Sequence, residues 1–237
     1  MKNMNCIIAS TSTIHGSNYL AYLEEALNEL YKDVSEIIFI PYARPGGISH
    51  AEYTKKAKKG LAFLGKTVKG LHEFENPVKA IQEAQALFTG GGNTFLLVSQ
   101  LYNQKILTPL KEAIKGGTPY LGTSAGSNIC GLTMGTTNDM PIVYPPSFKT
   151  LGILEFNLNP HYLDPDPSST HKGETRETRI KEFHHLNSMP VVGLREGSWL
   201  RVHQQDIKLE GGLKARVFEK DQEPYEVESG TSFKDLN

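Results

Sequence analysis

The chain has 237 residues, 38% of them hydrophobic and 22% charged, which is enough apolar material to bury a substantial core as one domain over 1–237. Its formal net charge is −1, from 25 Lys+Arg against 26 Asp+Glu, so it has neither the basic excess expected of a nucleic-acid binder nor a tail of like charge. The densest basic patch, Lys55, Lys56, Lys58 and Lys59, falls in a helical pattern and reads as a solvated face.

The first apolar run is too brief for a signal segment, and no stretch approaches the roughly 20 apolar residues of a membrane span. These features predict a cytosolic chain with no membrane partner. Cys6-Ile7-Ile8-Ala9 predicts a strand. Leu20, Leu23, Leu27 and Leu30 stand at helical spacing within Tyr19 to Tyr31. Ile37 to Ile40 is a second strand, ending at Pro41, and a Lys-rich helix is expected over Ala51 to Leu64. Val68 to Phe74 alternates weakly as a strand. Asn76 then opens a short helix with Pro77 at its first position. Ala86 to Thr89 is a buried-strand candidate that runs into Gly90-Gly91-Gly92-Asn93. Thr94 to Tyr102 and Gln104 to Ile114 read as helices, and Pro119 to Gly122 as a strand.

Continuous apolar strands alternating with helices imply an α/β fold, with a mainly parallel sheet covered on both faces. The segment from Pro141 to Pro167 is proline-rich, poor in periodicity and expected to be mostly loop. Glu174 to Leu186 predicts a helix. Val191 to Leu194, Trp199 to His203, Ile207 to Leu209 and Ala215 to Phe218 then read as an antiparallel extension of the sheet. The two cysteines, Cys6 and Cys130, show neither CxxC nor metal-ligand spacing and read as small buried hydrophobes.

Gly122-Thr123-Ser124-Ala125-Gly126 matches G-x-S-x-G between a strand and a helix candidate, the setting of a nucleophile elbow. The ordinary alternative is a strand-to-helix turn with Ser124 at the N-cap. Gly90-Gly91-Gly92-Asn93 has neither the Lys-Ser/Thr of a P-loop nor the spaced glycines of a dinucleotide fingerprint. For a serine hydrolase, the N–H groups of Gly91 and Gly92 would form half of an oxyanion hole, with Ala125 N–H as the other half. Eight histidines could supply a base. His161 and His171 stand apart in the loop-rich middle, and His161 leads because it follows the alternating Leu154, Phe156 and Leu158. Asp139 and Glu196 are both candidates for the acid that orients the imidazole.

Several strings together are more specific than the elbow. They are Gly-Gly-Gly-Asn-Thr-Phe at 90–95, Ser-Ala-Gly at 124–126, Thr-Thr-Asn-Asp-Met-Pro-Ile-Val at 136–143 and Asn-Pro-His at 159–161. His-Lys-Gly-Glu-Thr-Arg-Glu at 171–177 and Gly-Leu-x-Glu-Gly-x-Trp at 193–199 complete the set. In this order they resemble peptidase E, the family of α-aspartyl dipeptidases; Ile40 to Ala43 and Glu52 to Thr54 fit more loosely. The resemblance implies a three-layer sandwich related to class I glutamine amidotransferases, with serine where those enzymes carry cysteine. It also implies a small peptide substrate with an N-terminal aspartate, and neither metal nor cofactor.

On that resemblance Ser124 is the nucleophile and His161 the base. Asp139 matches the acid traditionally assigned and Glu196 an alternative. Recognition of an aspartate side chain suits a planar cation, for which Arg176 is the candidate, with Glu174 for the substrate ammonium. The ordinary reading of Arg176 is a solvated arginine in the first turn of a helix. Rival functions are a β-aspartyl hydrolase of the cyanophycinase type, a non-catalytic binding module on the same fold and a nucleotide-binding protein.

Overall fold

A computed structural model describes residues 3–166, 168, 170, 173–233 and 236. In chain order the elements are β1 (Met4–Ala9), α1 (Glu24–Leu30), β2 (Glu36–Ile40), α2 (His50–Gly60), β3 (Thr67–Gly70), α3 (Pro77–Gln82), β4 (Leu87–Thr89) and α4 (Thr94–Asn103). They continue with α5 (Leu107–Gly116), β5 (Tyr120–Thr123), α6 (Ala125–Asn128), β6 (Asn157–Pro160), α7 (Arg176–Leu186) and β7 (Val191–Leu194). The last four are β8 (Ser198–Gln204), β9 (Asp206–Gly211), β10 (Ala215–Phe218) and β11 (Tyr225–Val227).

The main sheet has the order β3-β2-β4-β5-β1-β8-β9. Its first five strands are parallel, as the continuous apolar runs of β1, β2, β4 and β5 predict, and β8 and β9 extend it antiparallel beside β1. Alternate residues of β1 feed different faces. Cys6 and Ile8 join a cluster with Leu97, Leu110 and Ile129, whereas Ile7 and Ala9 join one with Leu27, Tyr53 and Ala57. Helices therefore cover both faces. Fully burying each Leu or Ile contributes about 1.5–3 kcal/mol against the entropy of ordering the chain.

Local signals set most boundaries. Ser49 and Glu52 form a capping box that opens α2, and Asn76 Oδ1 accepts from Lys79 N–H with Pro77 at the first position of α3. The first helix starts at Glu24 rather than Tyr19, because Leu20 takes φ +62° and a short 3₁₀ turn fills Ala21–Leu23. Thr175 caps α7 by accepting from Thr178 N–H, so that helix begins at Arg176.

The C-terminal strands depart from the expectation of one extended sheet. Val191–Leu194 and Ala215–Phe218 leave the main sheet for a second one, ordered β11-β10-β7-β6. In it β7 is parallel to β6 and antiparallel to β10. The reason is burial: β6 and β7 are buried at every position, and Leu158, Val192, Leu194 and Val217 join the larger core cluster. The strand in the loop-rich segment begins at Asn157, not Leu154, because Leu154 N–H is taken by Cys130 O. Among the described residues no helix is long and apolar enough to cross a membrane.

Candidate active site

Each of three parallel strands of the main sheet ends at a residue of interest. Register pairs Ala9 with Thr123 and Thr89 with Gly122, so Ser10, Gly90 and Ser124 emerge side by side at the carboxyl edge. Ser124 turns at φ 55°, ψ −113°, outside the ordinary regions for an L-residue, between β5 and the four-residue α6. The bend lies tight on its neighbours, for a Cβ on Gly126 would stand 2.1 Å from Thr89 O.

The second sheet supplies the partners. Parallel pairing sets Pro160 opposite Leu194, so His161 leaves β6 beside the Arg195-Glu196 turn that leaves β7. His161 Nε2 lies 2.8 Å from Ser124 Oγ, and its Nδ1 lies 2.6 Å from Glu196 Oε1. An ionised carboxylate can only accept, so the proton sits on Nδ1 and Nε2 is left to accept from the Ser124 hydroxyl. The His161 and Glu196 side chains are 37% and 46% exposed, open to a substrate. Like Ser124, His161 holds a positive φ, of 56°.

Ser10 joins the two sheets and had no sequence signal beyond its place after a strand. Its buried hydroxyl donates to Leu194 O at 2.7 Å and accepts from His161 N–H at 2.9 Å. Arg195 makes a second clasp, with a two-pronged ion pair to Asp164 at 2.6 and 2.8 Å and contacts to Glu226. The clasp ties the segment just after His161 to the residue just before Glu196. Arg195 is held above its usual range by these hydrogen bonds, Asp164 first and then Glu226.

Asp139 stands elsewhere. Its Oδ2 accepts from Thr94 N–H at 2.7 Å, from the Thr94 hydroxyl at 2.6 Å and from the Thr137 hydroxyl at 3.1 Å. The surrounding Thr-Thr-Asn-Asp string is a brace. Thr136 Oγ1 donates to Leu158 O and Asn138 Nδ2 to Pro160 O, which ties the end of β6 to the start of α4. Asp139 still lines the small cleft, about 20 Å³, that holds Ser124, Ala125, Thr94 and His161.

Gly91 and Gly92 run close to Ser124. A Cβ on Gly91 would lie 2.8 Å from Ser124 Cβ, and Gly92 takes φ +144° against Ala43 O. Among the described residues nothing accepts from the N–H groups of Gly91, Gly92 or Ala125.

Arg176 and Glu174 line a separate, larger cavity of about 530 Å³ with Asp164 and Arg179. Arg176 makes no hydrogen bond or ion pair among the described residues. Burial, with Arg179 adding to it, lowers its pKa, while the charge of Asp139 acts the other way. Glu174 faces Arg179 at 3.8 Å. His171 lies outside the described residues.

The family model for Peptidase family S51 matches residues 6–210. "Peptidase E" of Streptomyces coelicolor is 46% identical over 233 residues, covering 98% of this chain and 95% of its own. A Drosophila melanogaster protein named "Probable alpha-aspartyl dipeptidase" is 44% identical over 220 residues, 92% of this chain and 90% of its own. The crystal structure of a peptidase from an acI-B1 Actinobacterium superposes with a TM-score of 0.69 over 98% of both chains at 17% identity, which speaks for the fold alone. With a match across this span and identity at this level, the chain belongs to peptidase family S51.

Proposed function

We propose that this chain is a serine exopeptidase, acting as one peptidase domain, that hydrolyses dipeptides with an N-terminal aspartate. The observation that carries the reading is the hydrogen-bonded line from Ser124 Oγ through the His161 imidazole to Glu196 Oε1. The names of the relatives point to the substrate class.

In this mechanism the Ser124 oxygen bonds to the peptide carbonyl carbon as its proton passes to His161 Nε2. The carbonyl oxygen becomes an oxyanion against Gly91, Gly92 and Ala125 N–H. The C–N bond then breaks, and His161 gives the proton to the leaving amine. Water adds to the aspartyl ester with His161 as base again, releasing aspartate and restoring the serine. Glu196 holds the ring and stabilises the imidazolium.

Arg176 is the group for the aspartate side chain, since a guanidinium with no partner among the described residues matches a carboxylate through two parallel hydrogen bonds. Glu174, which lines the same cavity, is the group for the substrate ammonium. The test is a panel of α-Asp-X, β-Asp-X, Asn-X and Ala-X dipeptides against wild type and Ser124→Ala. Hydrolysis of α-Asp-X much faster than of the other three dipeptides, and abolished in the folded variant, is expected. Preference for β-Asp-X would replace the substrate assignment, and turnover by Ser124→Ala would remove the mechanism.

A further inference from the structure

The Gly90-Gly91-Gly92 loop is fixed at its two ends. Gly90 N–H donates to Ile40 O at 3.3 Å, and Asn93 N–H donates to Ala43 O at 2.7 Å. Neither bond sets which way the peptide between Gly91 and Gly92 faces. That peptide joins two residues without Cβ atoms, and Gly92 sits at φ +144°, so the chain itself offers little resistance to its rotation.

One side chain takes hold of it. Tyr53 lies in the first turn of α2, 1% exposed, and its hydroxyl donates to Gly91 O at 3.0 Å. The ring is held on its other sides. It meets Phe39 edge-on, with centroids 4.9 Å apart at 85°, and the Arg44 guanidinium lies 4.8 Å above its centroid. The loop passes so close that a Cβ on Gly90 would stand 2.5 Å from the Tyr53 oxygen.

We propose that Tyr53 is a positioning residue for the oxyanion site: by holding the Gly91 carbonyl, it keeps the Gly92 N–H turned toward Ser124. In a planar trans peptide the C=O and the N–H point in opposite directions, so binding one from the core side aims the other at the cleft. Rotation of this peptide would exchange the N–H for a carbonyl oxygen, and an oxygen there repels the developing negative charge. A hydroxyl donor at position 53 opposes that rotation, because the carbonyl would lose a buried hydrogen bond. The inference rests on the reading of Ser124 and Gly92 given under the proposed function.

Tyr53→Phe removes one oxygen and keeps the ring packing. Its kcat for an α-aspartyl dipeptide is expected to fall about 10–100-fold, less than for outright loss of an oxyanion donor, with KM within about threefold of wild type. Affinity for an aspartyl boronate or aldehyde, which forms a tetrahedral adduct on Ser124, should fall by the same factor. In the Ser124→Ala background, dipeptide binding should not change on adding Tyr53→Phe. Replacing Tyr53 with 4-aminophenylalanine, which restores a donor at that place, should recover kcat, and it also serves if Tyr53→Phe folds poorly. A kcat within twofold of wild type in Tyr53→Phe, or an equal loss of ground-state binding, would overturn the proposal. Turnover surviving in Ser124→Ala would instead strike the reading beneath it, so the two failures are distinguishable.

Discussion

Asp139 grips Thr94 at the start of α4, with its Oδ2 2.7 Å from the Thr94 N–H and 2.6 Å from the Thr94 hydroxyl. The carboxylate in line with His161 Nδ1 is that of Glu196, 2.6 Å away. The two acids therefore differ in what their removal does. Glu196→Gln keeps the shape but removes the charge that stabilises the imidazolium, and kcat is expected to fall about 10²–10⁴-fold. Asp139→Asn should cost about 0.5–2 kcal/mol of stability through its weakened hold on α4, with a kcat loss of about tenfold at most. Steady-state kinetics and thermal melts of both variants check this. The reverse ordering of kcat losses would give the orienting role to Asp139.

Gly91→Ala tests the packing of the loop on Ser124. The added methyl would lie 2.8 Å from Ser124 Cβ and 3.3 Å from its Oγ, a clash that one side must relieve. The serine is expected to shift, so that acylation by a serine-directed fluorophosphonate slows by about tenfold or more. An unchanged labelling rate in a folded variant would show that the loop yields instead.

Arg176→Met should lower kcat/KM for Asp-X by about 10–100-fold, about 1.4–2.8 kcal/mol, and leave the slow turnover of Ala-X nearly unchanged. The comparison separates recognition of the side-chain carboxylate from damage to the proton relay. Equal losses on both substrates would move the aspartate pocket away from Arg176.

The Arg195 clasp predicts a pH dependence of stability. Hydrogen bonds from Arg195 hold the Asp164 and Glu226 carboxyls below the usual carboxylate range. A depressed carboxyl contributes stability that is fully present above its unfolded pKa and is lost as pH falls through its folded value. Melting temperature should therefore drop on acidification below about pH 5, and less steeply in Arg195→Met. The variant should melt on the order of 5 °C lower than wild type at pH 7, with the gap narrowing by pH 3. A gap that does not change with pH would assign the effect of Arg195 to packing alone, including its contact with the Tyr162 ring.

Local order was legible where the chemistry is local. The capping residues of α3, the apolar runs of β1, β2, β4 and β5 and the glycines around Ser124 each act within a few residues, so their patterns announce the elements. The departure of β7 and β10 into a second sheet was not legible. Their runs carry no record of partner, and pairing is decided by which surfaces can be buried together. Tyr53 fell within the loosely matching Glu52 to Thr54, but nothing local gave it a role until the Gly91 carbonyl is seen against it.

By itself the sequence determined the kinds of element, the sharp bend that presents a serine and the short set of histidines and acids from which partners could come. The tertiary structure decided which of those meet. His161 and Glu196 are 35 residues apart in the chain and become neighbours only because β6 and β7 pair in parallel, with Ser10 stitching both to the main sheet. That pairing depends on burial and hydrogen bonding between distant segments, and no local propensity encodes it.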